Sequence, residues 1–172
     1  MQDNLELRMY GLVPYNISPI QQGIQFGHAV VEYSQKIESF KHGLLSRTEH
    51  YKSLYDSYDN WAKNWKTFII LNGGTTNNKI VDGSYVGSLN NHKETLDKLG
   101  IFNVSFNEPD LGDQLTAIVF ILDERIFNRT KYPDFDMNKL YTNSNAHTEW
   151  LKLIGGENNS KIREFISGFR LA

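Results

Sequence analysis

A chain of 172 residues with 40% apolar and 22% charged side chains has the composition of one globular domain, long enough to bury a core without staples. The absence of cysteine excludes disulfides, thiolate metal sites and cysteine nucleophiles, and suits a reducing compartment. A formal net charge of −2 supplies no overall basic field, so contact with nucleic acid requires a local patch. No stretch approaches the ~20 apolar residues of a membrane span. The opening MQDNLELRMYGLV lacks the basic-then-apolar layout of a secretory signal. A cytoplasmic protein is therefore expected, in which the N-x-S/T triplets at Asn16, Asn103, Asn128 and Asn158 are chance features of an Asn-rich chain.

LELRMYGLV (5–13) alternates, is rich in strand formers and is closed by Pro14, which predicts a strand. Ser18 then offers a hydroxyl to the free amides of a helix start. Pro19 stands at the first helical position and Gln21 completes a capping box. The helix that follows carries Ile20, Ile24, Gly27 and Val31 on one stripe, with Phe26 and Val30 alongside, a width suited to packing on a sheet. Beside that stripe runs a polar line of Gln21, Gln25, His28 and Glu32.

A second helix is expected in LLSRTEHYKSLYDSYDNWAKNWK, with Leu54, Tyr58, Trp61 and Trp65 inward. KTFIILNGG (66–74) reads as a second strand, residues 75–87 as a loop, and Ser88 as the cap of a short helix closed by Gly100. IFNVSF (101–106) alternates as a third strand. LTAIVFIL (115–122) reads as a fourth, buried on both faces. The acidic loop NEPDLGDQ lies between them. Residues 123–145 have no period, and two short helices finish the chain, the last with Ile162, Phe165, Ile166 and Phe169 inward. The expected fold is a single α/β domain over 1–172, a mixed sheet of about four strands covered by helices. An irregular insertion is expected at about 123–152, before the C-terminal helix.

The sequence shows no cofactor motif and no metal signature. His28 and Glu32 lie one turn apart without a third ligand at a telling spacing. NGGTTNN could cradle phosphate with its glycine amides, but it lacks the Lys-Ser/Thr tail of a phosphate loop and reads as a plain loop after a strand. Glu108, Asp110 and Asp113 crowd one loop. Three carboxylates so close suit acid–base chemistry or a solvated turn.

Taken in order, these pieces resemble the type 2 peptidyl-tRNA hydrolases, whose first helix carries G-K-x-x-x-Q-x-x-H-A after a short strand. IQQGIQFGHA places Gln25, His28 and Ala29 in the matching positions. The similarity continues through Trp65 and Lys66 before TFIILN, the LDKLGIFNVSF helix-to-strand passage, the acidic loop, the Thr-led strand QLTAIVFI and the closing SGFRLA. It covers most of 5–122 and the tail. The resemblance implies hydrolysis of the ester joining peptide to tRNA, with tRNA or peptidyl-tRNA as partner and a homodimer as the assembly. It places catalytic roles on Thr116, on Glu108 or Asp110, and on the Lys position, held here by Gln21, with His28 lining the site. A neutral amide donates hydrogen bonds but brings no charge, and Lys66 and Arg8 are the cations that could replace it. Hydrolysis of another ester or amide, and a non-catalytic relative binding RNA or protein through the same cleft and the 123–152 segment, are the other readings.

Overall fold

A computed structural model describes residues 5–42, 48–76, 79–81 and 84–172; residues 44–47 of the expected second helix lie outside them. Its elements in chain order are β1 (Leu7–Val13), α1 (Pro19–His42), α2 (Glu49–Asn60), β2 (Thr67–Asn72), β3 (Lys79–Val81), β4 (Ser84–Val86), α3 (Ser88–Lys98), β5 (Asn103–Glu108), β6 (Gln114–Asp123), α4 (Glu124–Phe127), α5 (Ala146–Ile154) and α6 (Glu157–Ser167). Four strands form a mixed sheet in the order β2-β1-β6-β5. β1 and β2 are parallel and joined across one face by α1 and α2, while β6 runs antiparallel to both its neighbours. β3 and β4 make a separate antiparallel hairpin, where a loop was expected from the Asn-, Gly- and Thr-rich composition. No helix among the described residues is long and apolar enough to cross a membrane.

The sheet separates two cores. Leu7, Met9, Val13, Ala117 and Val119 meet Phe26, Ala29, Tyr33, Ile37 and Phe40 of α1, with Trp61 beside them. On the other face Tyr10, Leu12, Ile118, Phe120 and Leu122 meet Leu89 and Leu96 of α3 and Ile162 of α6. β6 feeds both, and Leu115 to Phe120 are all buried, as its continuous apolar run predicts.

The orientation of α1 corrects the sequence reading. The stripe expected to face the sheet is turned to solvent, with Ile20 77%, Ile24 49% and Val31 55% exposed. Both stripes have helical spacing. The buried one carries the larger side chains and continues from Phe26 to Phe40, whereas the other gives way to Ser34, Gln35 and Glu38 after Val31. The longer, larger stripe removes more apolar area from water, and that decides the roll of the helix. Close approach is made possible by Gly11 in β1, where an added Cβ would sit 2.3 Å from the Phe26 ring.

Of the two side-chain caps expected from the sequence, one forms and one does not. Ser18 and Gln21 form the expected capping box: the Gln21 N–H donates to Ser18 Oγ at 3.3 Å and the Ser18 N–H to Gln21 Oε1 at 3.1 Å. α2 runs into a π-helical turn, Trp61–Trp65, ended by Lys66 in the left-handed region at φ 54°. The buried Trp61 donates from Nε1 to the Thr67 carbonyl at 3.1 Å. For α3 the cap position is Gly87, without a side-chain bond, so Ser88 is the first helical residue and not the cap. Gly100 closes α3 at φ 66°.

The region after β6 is packed on the domain by a buried guanidinium. Arg163 of α6, 3% exposed, donates through Nη1 to the Arg125 carbonyl at 2.5 Å, and through Nη2 to the Tyr132 carbonyl and Asp134 at 2.8 Å each. The C-terminal tail pairs with the outer edge of β2. The Asn72 N–H donates to the Arg170 carbonyl at 2.9 Å and the Ala172 N–H to the Ile70 carbonyl at 3.0 Å, covering part of an edge that would otherwise template association.

Gly11→Ala is expected to destabilise the protein by about 1–3 kcal/mol through overpacking, measured by urea denaturation. A second expectation concerns His92 of α3, whose ring lies 4.8 Å from that of Phe169 and 5.9 Å from that of Phe165. Burial there pushes its pKa below the ordinary value of 6.5. The unfolded chain thus binds a proton before the folded one does. The stability contributed by neutral His92 is full above pH 6.5 and is lost as pH falls below that value toward the folded pKa. Thermal melts of wild type and His92→Phe between about pH 7.5 and 5.5 should diverge, the variant losing less on acidification.

Candidate functional site

The carboxyl ends of β1, β2 and β5 and the start of β6 lie at one end of the sheet, beside the amino end of α1. That end is held together by short-range bonds. Gln22 Nε2 donates to the Pro14 carbonyl at 3.0 Å and the Ile17 carbonyl at 3.3 Å, fixing the turn from β1 into α1. Asn16 and Thr76 bond reciprocally, tying this turn to the glycine loop after β2. The loop amides are thereby consumed: Gly73 N–H donates to the Val13 carbonyl, Gly74 N–H to Asn72 Oδ1 and Thr76 N–H to Asn16 Oδ1. The described part of NGGTTNN, Asn72–Thr76, is a structural turn in which these three amides are not open to phosphate.

Three polar side chains distant in sequence meet in one line. Thr116 Oγ1 donates to Gln25 Oε1 at 2.7 Å, and Gln25 Nε2 donates to Glu108 Oε2 at 2.5 Å. Thr116 is fully buried and Gln25 is 6% exposed, so the line runs from the interior outward to the half-buried carboxylate at the end of β5. The second carboxylate oxygen of Glu108 accepts the Asp110 N–H at 3.4 Å as cap of a 3-10 turn, Pro109–Leu111. Gly112 and Asp113 then reverse the chain at φ 65° and 59°.

Thr116 reaches Gln25 because of a β-bulge. The β5–β6 register passes from Phe106↔Ala117 to Asn107↔Leu115, which leaves Thr116 without a ladder partner. Strict alternation would place Thr116 with Ile118 and Phe120, on the face covered by α3. The extra residue turns its hydroxyl to the α1 face instead, where the carbonyl of Phe106 also lies 3.3 Å away.

Among the sequence-derived candidates, Glu108 and Thr116 are thus brought together, and Glu108 rather than Asp110 supplies the carboxylate that meets α1. The side chains of Asp110 and Asp113 are exposed. Gln21 lies one turn before Gln25, about 6 Å along the axis. Its Oε1 is held by the capping box, and its NH2 group has no partner among the described residues. His28 is exposed, its ring 4.6 Å from that of Phe106. Gln25 is the hub, although the sequence offered it only as one member of a polar line and as a motif position of the resemblance, with no role of its own; its signal was a carboxamide one helical turn after Gln21. The two cations that could stand in for a lysine are excluded by topology. Arg8 pairs with Thr67, next to Lys66, at the opposite end of the parallel strands, roughly 17 Å away at 3.3 Å per residue. Arg8 is also engaged by Glu6 at 2.7 Å and by the ring of Phe127 at 3.9 Å.

The chain was compared with protein-family models, with curated proteins and with solved structures, and none matches.

Replacing Thr116 by Val keeps the volume but leaves a buried face of the Gln25 amide unbonded. Thr116→Val is therefore expected to cost about 1–3 kcal/mol, and Thr116→Ser, which keeps the hydroxyl, less. Chemical denaturation of the three proteins measures the difference.

Proposed function

We propose that this protein is a hydrolase of the peptidyl-tRNA hydrolase type, acting on the ester bond of peptidyl-tRNA or a related acyl ester at the Glu108 carboxylate. The observation that supports this reading is the Thr116–Gln25–Glu108 hydrogen-bonded line, assembled from three segments at the end of the sheet where α/β proteins place their sites. In this reading Gln25 holds Glu108 in one orientation and Thr116 holds Gln25. Glu108 takes a proton from a water molecule, whose oxygen attacks the ester carbonyl carbon. The carbonyl becomes an oxyanion that accepts a hydrogen bond from the NH2 group of Gln21. Collapse of the intermediate breaks the ester C–O bond, and protonated Glu108 returns its proton to the leaving hydroxyl. His28, its ring tilted against that of Phe106, lines the approach.

A second reading, a non-catalytic relative that binds RNA or protein at the same place, is favoured by the neutrality of Gln21 and by the exclusion of Arg8 and Lys66. The acidic turn at Glu108, Asp110 and Asp113 makes a protein the better partner than a polyanion.

Incubation with N-blocked aminoacyl-tRNA, following acyl release, separates the readings. Release above the uncatalysed rate is expected, reduced about 10²–10⁴-fold in Glu108→Gln and raised in Gln21→Lys by up to about 10²–10³-fold. No release by the native protein, at concentrations where Gln21→Lys cleaves, would sink the hydrolase reading in favour of the binding module.

A further inference from the structure

We propose that the cavity beside Trp150 binds the guanidinium group of an arginine in a peptide segment of a partner protein, an arginine flanked by apolar residues. The proposal is independent of the hydrolase reading. The segment that forms the cavity leaves the sheet at Asp123, the end of β6 away from Glu108.

The cavity measures about 460 Å³ and lies between residues 133–136, the 3-10 turn Met137–Tyr141 and α5. That volume is in the range of ligand sites. Its walls are held in place by the protein's own bonds. Trp150 Nε1 donates to the Pro133 carbonyl at 2.9 Å. The Phe135 ring packs at 47° against that of Trp150, centroids 5.5 Å apart, and lies 5.0 Å from the ring of His147. Asp134, between Pro133 and Phe135, is fixed by Arg129 and by the buried Arg163. Phe135 and Trp150 both line the cavity and are half-buried.

The charge of the lining selects the ligand. Asp134 is balanced by its two arginines, but Asp136 and Glu149 face the cavity without a cation. Asp136 Oδ1 accepts the Asn138 N–H at 2.9 Å, and Glu149 Oε2 accepts from Asn143 Nδ2 at 3.1 Å. The other oxygen of each carboxylate has no partner among the described residues. Two open carboxylate oxygens beside a Trp and a Phe are complementary to a flat cation. Such a cation stacks on a ring and donates N–H bonds from its edge, which guanidinium does better than ammonium. A polyanion such as RNA is repelled by the same carboxylates. Lys139 is the cation of the lining; it is exposed and has no ion-pair partner among the described residues, so it competes with the ligand. The apolar surroundings favour a peptide over a free small cation. Leu153 of the lining is 48% exposed, and Met137, Leu140 and Tyr141, on the turn that forms one wall, are 66%, 40% and 90% exposed.

Titration of the isotope-labelled protein with acetyl-Leu-Arg-Leu-amide tests the proposal, followed by NMR at the Trp150 indole N–H, which Trp150→Phe assigns. A saturable shift is expected, with a dissociation constant below about 1 mM. Citrulline in place of the arginine keeps the shape without the charge and should weaken binding at least about tenfold. Glu149→Gln and Asp136→Asn should each weaken it about three- to tenfold. Both keep the oxygen that bonds within the protein, so their far-UV circular dichroism should match wild type. Lys139→Gln should tighten binding, a change that a merely structural role for this lining would not give. Argininamide alone, which lacks the apolar flanks, should bind at least about tenfold more weakly. The absence of a saturable shift overturns the proposal, as does equal binding of the citrulline peptide or of argininamide. So does a shift of the same signal by tRNA and not by the peptide.

Discussion

Gln25 is a carboxamide enclosed between α1 and the β5–β6 hairpin, and in that position it must find both an acceptor for its NH2 and a donor for its carbonyl. A buried amide left unpaired costs about 1–3 kcal/mol, a large part of the net stability of a domain of this size. Glu108 and Thr116 satisfy it from opposite sides. The roll of α1, the bulge in β6 and the length of β5 are all consistent with that one requirement. Rotating α1 by one residue would take Gln25 off both partners and Phe26 off Gly11 together.

The same arrangement anchors the rim of the sheet to its interior. Thr116 belongs to the central pair of strands, Gln25 to the buried side of the longest helix, and only Glu108 reaches the rim. The cap of the Pro109–Leu111 turn uses the other oxygen of the same carboxylate, so the turn cannot change without moving the acid. The Glu108 carboxylate at the rim is thereby tied to the core through two side-chain bonds, and the neighbouring loops are tied to one another through Asn16, Thr76 and Gln22.

Much of the fold was legible because the relevant signals are local. β1, β2, β5 and β6, α3 with its Gly100 stop, α5 and α6 appear near their expected places, since alternation, capping residues and glycine in a left-handed position act within a few residues. The β3–β4 hairpin was not legible, because its Asn-, Gly- and Thr-rich sequence carries turn chemistry more strongly than strand alternation. α1 illustrates the other kind of failure. It has two apolar stripes of correct period, and periodicity alone has no means of saying which one meets a sheet.

For the site, residue types on the sequence singled out the acidic loop with Glu108 and the polar line of Gln21, Gln25 and His28, and it was the family resemblance that added Thr116 and joined them into one site. Only the tertiary structure decided that Gln25 is the link, that Glu108 and not Asp110 faces it, and that Arg8 and Lys66 stand at the far end of the sheet. Sequence by itself determined the elements and the chemical inventory, because propensity, capping and charge are properties of neighbouring residues. Which groups touch was left to the register of β5 on β6 and the roll of α1, and both are settled by burial and hydrogen-bond satisfaction across the whole domain.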